Sequence, residues 1–170
     1  MLTKSNNGLE PRAARMAVIG LGNTLMSDDG AGIRAVRALR ARLGPEFPHA
    51  ALIEATAAGP ELTTRLEGFD EAIIVDALLT RDPRPGAIHV LDLEDLAHTR
   101  NTASPHSMNL ATAVELGRRC GLRMPRRIRI LAMEILDAET VSESLSPAVE
   151  KAIPEAVEIL AEMCIEYSQY

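Results

Sequence analysis

The sequence predicts a single α/β domain, in which helices cover both faces of a twisted, mostly parallel five-stranded sheet. Short apolar runs alternate with segments of helical periodicity, and neither an internal repeat nor a low-complexity stretch interrupts them. With 170 residues, 46% of them hydrophobic, the chain can bury one full core. We expect this domain to span residues 16–170. Residues 1–15 are polar, lack the apolar core of a signal peptide, and are predicted to form a disordered extension.

The first half of the chain alternates strand and helix patterns. Met16–Leu21 is a continuous apolar run, typical of a buried parallel strand. Gly30–Leu43 carries apolar residues at helical spacing and arginines on the other face, which predicts a helix. A weaker strand pattern at Ala51–Ala55 precedes a short predicted helix at Glu61–Leu66. Ala72–Ala77 (AIIVDA) then predicts a central strand.

The second half adds two strands and two helices. A Pro-Arg-Pro-Gly turn precedes Ala87–Leu91, which is predicted to lie near a sheet edge. Because this turn is too short for a crossover helix, we expect an antiparallel strand there. A Ser-Pro pair starts each of two predicted helices, Ser104–Cys120 and Ser146–Met163, and the second is expected to break or kink at Pro154. Arg127–Ala132 between them predicts the fifth strand.

Composition excludes several classes of function. The net charge of −6 and the four aromatic residues argue against binding to nucleic acid or to an anionic membrane surface. No apolar run approaches the ~18 residues that a membrane helix needs. The two cysteines, Cys120 and Cys164, lie 44 residues apart and suggest neither a disulfide framework nor a thiolate metal site. We therefore expect a cytoplasmic protein with two buried or partly buried thiols. We also expect it to be a monomer.

The turn after the first strand contains two adjacent carboxylates. Its glycines are typical of a dinucleotide-binding loop. However, Leu25 stands where that pattern needs glycine, and Asp28 and Asp29 would repel a pyrophosphate. Without any function, either aspartate would serve as a cap of the following helix. That structural role suits Asp28 better than Asp29, which makes Asp29 the functional candidate.

Two further residues extend this candidate site. Asp76 follows four apolar strand residues, where a charge is costly unless it is paired, solvated or liganded, although it would also suit a turn. His106 lies in the first turn of a predicted helix, where the helix dipole favours the neutral imidazole; by itself it is equally typical of an ordinary surface histidine. If the fold brings Asp29, Asp76 and His106 to one crevice, they supply two oxygens and a nitrogen to zinc, nickel or manganese.

Three segments in this order, GLGNTLMSDDGAG, IIVDA and SPH, resemble the hydrogenase maturation endopeptidases, which process the large subunit of nickel–iron hydrogenases. The resemblance extends from Met16 to about Met163. It implies that Asp29, Asp76 and His106 are metal-binding and catalytic residues. It also implies that the metal is nickel presented by the substrate, replaceable in vitro by zinc or another divalent ion. The implied reaction removes the C-terminal extension of the large-subunit precursor after nickel insertion, so this precursor is the implied partner.

The chain departs from the family pattern at two places. Residues 54–59 (EATAAG) replace an Asp-Gly-Gly-Thr-type loop, which puts precursor recognition by that loop in doubt. Residues 107–109 (SMN) replace Gln-Leu-Gly, which we interpret as the mark of a different hydrogenase class.

Several interpretations stay open at this point. Either a metal polarises the scissile carbonyl or activates water, or Asp29 or Asp76 acts as a general base without metal. Instead of a peptidase, the chain would also suit a non-catalytic nickel-sensing chaperone of the unprocessed precursor or, less well, a nucleotide-binding module. A basic segment is interpreted as a solvated helix end and loop, with a precursor-docking patch as the alternative. Its members are Arg118, Arg119, Arg123, Arg126, Arg127 and Arg129.

Overall fold

The computed structural model describes residues 16–44, 50–56, 60–96, 102–103 and 107–168. The extension predicted at residues 1–15 lies outside them. The elements in chain order are β1 (Met16–Leu21), α1 (Ala31–Leu43), β2 (Ala50–Ala55), α2 (Pro60–Leu66), β3 (Glu71–Thr80), β4 (Ile88–Asp92), α3 (Leu93–Leu96), β5 (Thr102–Ala103), α4 (Ser107–Arg119), β6 (Arg127–Glu134) and α5 (Pro147–Ser168). A 3-10 turn, Ser27–Gly30, precedes α1.

The main sheet confirms the predicted five-stranded, mostly parallel arrangement. Its strand order is β2-β1-β3-β6-β4. β1 pairs in parallel with β2 and β3, and β3 pairs in parallel with β6. β4 lies at the edge, antiparallel to β6, as its short preceding turn predicts. The two-residue strand β5, which we did not predict, pairs with Leu79 and Thr80 at the end of β3.

Helices cover both faces of this sheet, and each face has its own core. On the first face, α1 and α5 pack against Ile73 and Val75 of β3. On the second face, α2 and α4 pack against Ala72 and Ile74 of the same strand. Both faces of β3 are therefore buried, which explains its almost continuous apolar sequence.

The last helix differs from the prediction, because α5 runs from Pro147 to Ser168 without a break at Pro154. A proline inside a helix removes one backbone hydrogen bond, here to the carbonyl of Glu150. Pro154 and Glu150 are both exposed, so water can satisfy that carbonyl. The expected break is therefore wrong, the alternative of a kink stays a prediction, and the helix extends five residues beyond the predicted end at Met163.

The two cysteines lie in different environments. Cys164 is buried in the first core, and burial raises the pKa of its thiol to about 11. Cys120 is exposed at the end of α4, so the prediction of a buried or partly buried thiol is wrong there. Among the described residues, no helix is long and apolar enough to cross a membrane.

Candidate active site

The candidate site lies where the chain changes direction across the sheet. From β1 the chain passes through α1 to β2 on one side, and it then returns to β3 on the other side of β1. In doubly wound sheets, ligands bind at the carboxyl ends of the two strands that flank such a switch point. Asp29 follows β1, and Asp76 lies in the last part of β3, beyond the residues that pair with β1. Both carboxylates are therefore located at this switch point.

Close glycine packing brings these two parts of the chain together. A Cβ added to Gly32 would lie 2.3 Å from the carbonyl oxygen of Val75 and 2.4 Å from that of Leu21. The start of α1 thus packs directly against the ends of β3 and β1, which only glycine permits. Gly32 comes three residues after Asp29, and Val75 directly precedes Asp76. This contact consequently sets the turn of Asp29 against the strand of Asp76.

Asp29 is held by its own loop. Its Oδ2 accepts a hydrogen bond from the backbone N–H of Asn23 at 2.7 Å. Its own N–H donates to the carbonyl oxygen of Met26 at 3.0 Å. Gly22, with φ +131°, lies so close that an added Cβ would be 1.8 Å from the Asp29 carbonyl oxygen. The side chain is partly exposed, so a restrained carboxylate remains in contact with solvent.

Asp76 is almost completely buried, with 2% of its surface exposed. Its Oδ1 accepts a hydrogen bond from the N–H of Ala77 at 2.9 Å. Because Ile74 and Leu78 face the core beneath α2 and α4, Asp76 lies on that same face of β3. The charge therefore needs a partner at this position, and the turn alternative is wrong because β3 continues to Thr80.

His106 lies outside the described residues. The description resumes at Ser107, the first residue of α4, and this helix packs on the face of the sheet to which Asp76 belongs. Among the described residues, no three His, Cys, Asp or Glu side chains are close enough to hold a metal ion. Asp29 and Asp76 are the described part of the predicted site.

Asp28 does not cap the first helix, contrary to our expectation. Among the described residues, no side chain makes a capping hydrogen bond to α1 or to the preceding 3-10 turn. The carboxylate of Asp28 is instead fully buried, and its Oδ1 accepts a hydrogen bond from the N–H of Ser146, just before α5, at 2.6 Å. Its backbone N–H donates to the carbonyl oxygen of Asp137 at 3.1 Å. The 3-10 turn therefore directs Asp28 toward a distant part of the chain.

Residues 136–146, which we call the strap, support the glycine-rich loop from outside. Ser142 is the main contact of the strap: its N–H donates to the carbonyl oxygen of Leu25 at 3.0 Å, and its carbonyl oxygen accepts from the N–H of Ser27 at 2.8 Å. With the two bonds of Asp28, these contacts tie the strap to the loop that positions Asp29. The connection between β6 and α5 is thus part of the candidate site.

We did not identify from the sequence a buried acid at the carboxyl end of β6. Glu134 ends β6 and is 7% exposed. Its Oε1 lies 3.0 Å from Nε2 of His89, and its Oε2 accepts a hydrogen bond from the N–H of Arg84. The signal was the one that identified Asp76, an acidic residue directly after an apolar strand run. From the sequence, we considered only the charges at the beginning of this strand, Arg127 and Arg129, and not the acid at its end.

The basic segment lies at the amino ends of the parallel strands, where β6 begins. Arg119 pairs with Glu115 at 2.8 Å, and Arg129 pairs with Glu166 at 3.3 Å. Three other members line an open cavity of about 340 Å³ together with Asp92 and Glu94: Arg118, Arg126 and Arg127. The exposed pair of Arg119 and Glu115 and the distance from the carboxylates favour the interpretation of a solvated surface, whereas the side chain of Arg129 is 12% exposed.

The fold, with Asp29 and Asp76 at its switch point, defines an α/β protein whose candidate site is acidic. The family of hydrogenase maturation proteases matches residues 33–163, most of the chain. The chain belongs to this family and is a peptidase, which confirms the resemblance found in the sequence. The matched residues include Asp76 and His106 and begin four positions after Asp29.

Individual relatives agree with this assignment. The chain is 31% identical over 146 residues to the hydrogenase 2 maturation protease of Escherichia coli K12, covering 85% of this chain and 87% of that one. The structure of the E. coli hydrogenase maturating endopeptidase HybD superposes with a TM-score of 0.77 at 30% identity, covering 90% and 93% of the two chains. The Thermococcus kodakarensis NiFe hydrogenase maturation protease HybD shares the fold, with a TM-score of 0.70 at 24% identity and coverage of 88% and 99%.

Proposed function

We propose that the protein removes the C-terminal extension of a nickel–iron hydrogenase large-subunit precursor after nickel insertion, and that Asp29, Asp76 and His106 form its active site. The packing of Gly32 against Val75 is the observation that carries this site, because it sets the turn of Asp29 against the strand of Asp76. The sequence adds His106, directly before α4, and α4 packs on the face of the sheet to which Asp76 belongs. The proposal includes a monomer acting in the cytoplasm, where its two free cysteines stay reduced.

The donor set fits a divalent ion. Each carboxylate offers two oxygens and several lone pairs, so Asp29 and Asp76 can bind a cation while they keep their backbone hydrogen bonds. A neutral imidazole at His106 would add the nitrogen ligand that zinc and nickel prefer. We assign the metal to the substrate, as the nickel of the precursor, with zinc or another divalent ion as a replacement in vitro. A bound divalent ion supplies polarisation of the scissile carbonyl or activation of water.

The two carboxylates differ in what they can do. Asp29 is partly exposed, so it can meet an incoming peptide and accept a proton from water as a general base. Asp76 is buried and bonded to the N–H of Ala77, which suits a fixed ligand or an orienting group. The Asn23 N–H holds Asp29 in one orientation and thereby lowers the cost of positioning it during the reaction.

The test is cleavage of nickel-loaded precursor, followed by the mass of the large subunit. We expect the native protein to shorten it once and Asp29→Asn, Asp76→Asn and His106→Ala to lose at least about 10³-fold in rate. Asp82→Asn, the same change at an exposed turn, is the matched control and should cleave normally.

Thermal unfolding should show that these variants stay folded, because a crevice site contributes little to the core. Full activity of Asp76→Asn or of His106→Ala would refute the proposed site. A native protein that binds the precursor but leaves its mass unchanged would refute the proposed cleavage, and the protein would then act on the precursor only by binding it.

A further inference from the structure

Three large apolar side chains stand out from the surface beside the candidate site. Val141 is 82% exposed, Leu136 is 64% exposed and Leu25 is 54% exposed, the highest fractions among the large apolar residues described. Leu25 and Val141 are neighbours, because the residues that follow them, Met26 and Ser142, form a parallel β-bridge. Neighbouring exposed apolar groups such as Leu25 and Val141 are typical of an interaction surface.

Backbone hydrogen bonds connect this surface to the proposed catalytic loop. Leu136 directly precedes Asp137, whose carbonyl oxygen accepts the N–H of Asp28 at 3.1 Å. On its other side, Leu136 follows Ile135, whose N–H donates to the carbonyl oxygen of Leu78 near the end of β3. A molecule resting on the strap therefore lies next to the parts of the chain that carry Asp29 and Asp76.

The strap's own side chains carry only negative charge, and Arg34 of α1 is a cation that bonds the strap, at the carbonyl oxygen of Glu143. Between residues 130 and 150 the sequence contains five acidic residues and no lysine, arginine or histidine. Three of the acids lie on the strap itself: Glu139 and Glu143 are exposed, and Asp137 is partly exposed. Hydrogen bonds from Thr140 and Glu139 hold the pKa of the Asp137 carboxyl below its usual range, so this group stays charged near neutral pH.

We propose that this strap surface, formed by Leu25, Leu136 and Val141 with the exposed strap acids, docks a basic segment of the precursor that carries apolar side chains near the scissile bond. The inference rests on the proposed function. A substrate segment is the occupant that the geometry favours, because the strap is bonded to the loop of Asp29. A second copy of this acidic chain, with net charge −6, would bring like charge to the strap and obstruct the site.

The experiment measures kcat and KM for cleavage of nickel-loaded precursor by the full-length protein. Leu136→Glu and Val141→Glu should each raise KM about tenfold and leave kcat within about twofold, because docking is lost while the chemistry is retained. Leu116→Glu and Val90→Glu are matched controls, since both residues are exposed apolar side chains at other places, and their KM should not change.

A charge-reversed protein tests the electrostatic part. The double variant Glu139→Lys, Glu143→Lys should raise KM at low salt, and the increase should shrink as the salt concentration rises. Val141→Ser provides a milder variant and should raise KM less than Val141→Glu does.

The possible outcomes separate this inference from the proposed function. If the native protein does not cleave the precursor, the proposed function fails. If it does, but the strap variants and the matched controls have the same KM, only the docking surface is refuted. A native dimer that Val141→Glu dissociates in sedimentation would also overturn it, because a second copy would then occupy the strap.

Discussion

The two ends of the parallel strands, which we call the carboxyl edge and the amino edge, are built from opposite kinds of residues. At the carboxyl edge, the carboxylates of Asp28 and Asp76 are buried, and glycines allow backbone segments to touch. At the amino edge, arginines cover the surface and pair with exposed acids such as Glu115 and Glu166. Buried charge needs fixed partners, whereas exposed charge is stabilised by water. Close packing and buried hydrogen bonds therefore fix the positions of the polar groups at the carboxyl edge, whereas the charged groups at the amino edge are mainly solvated.

Two glycines provide the sharpest test of this difference. Gly22 at the carboxyl edge and Gly121 at the amino edge both have positive φ, +131° and +78°. An added Cβ meets the Asp29 carbonyl oxygen at Gly22 but nothing within 4 Å at Gly121. We expect Gly22→Ala to lower the cleavage rate by about 100-fold or more, because it displaces Asp29.

The matched variant Gly121→Ala should cost only about 1–2 kcal/mol of stability, the cost of its backbone conformation, with little effect on activity. Precursor cleavage and urea unfolding of both variants measure the two effects. Equal activity of Gly22→Ala and Gly121→Ala would remove the evidence that close packing positions Asp29.

The next largest effect concerns Asp28, the structural acid of the carboxyl edge. Asp28→Ala leaves the N–H of Ser146 without its acceptor and should lower the free energy of unfolding by about 1–3 kcal/mol. Asp28→Asn retains an oxygen at this position and should be milder, and its activity should exceed that of Asp76→Asn. Urea unfolding with parallel activity assays tests both; an Asp28→Ala protein as stable as the native one would contradict the account.

A smaller effect is expected at Glu54, near the carboxyl end of β2. Arg37 and Arg40 of α1 both bond its carboxylate, at 2.9 Å each, and the hydrogen bond from Arg37 is the main reason why its pKa lies below the model-peptide value of 4.5. A lowered pKa stabilises the folded state above pH 4.5, and this stabilisation is lost as the pH falls through the lowered value.

Replacing this carboxylate tests the pH dependence. At pH 7 the native protein should be more stable than Glu54→Gln by about 0.5–1 kcal/mol, because the pair is partly exposed. The difference should close on acidification in chemical unfolding measured from pH 7 to pH 3. A difference that does not depend on pH would show that packing, not charge, accounts for it.

The smallest effect should come from the amino edge. Charge reversal at Arg123 and Arg126 tests the alternative of a precursor-docking patch. Because this segment lies at the edge opposite to Asp29 and Asp76, we expect less than about a twofold change in cleavage rate, even at low salt where screening is weak. A large slowing at low salt that disappears at high salt would instead support docking at the amino edge.

Much of the fold was predictable because it depends on short-range patterns. The apolar run of β1 was predicted with its observed ends, and the short turn before β4 correctly indicated an antiparallel edge strand. Periodicity identifies such elements because each side chain selects its face from its immediate neighbours. The same apolar pattern marked Asp76 as a candidate, since it follows four apolar strand residues.

Partners that are distant in the sequence could not be predicted. A local pattern made Asp28 a helix cap, but its carboxylate bonds Ser146, 118 residues away. Nor does any local signal show that the strap crosses the glycine-rich loop, or that Glu134 meets His89. The sequence by itself determined which segments become strands and helices and which polar residues are candidates for the site. Tertiary structure alone decided which of these polar groups meet, because hydrogen bonds act over a few ångströms and depend on the register of the assembled sheet.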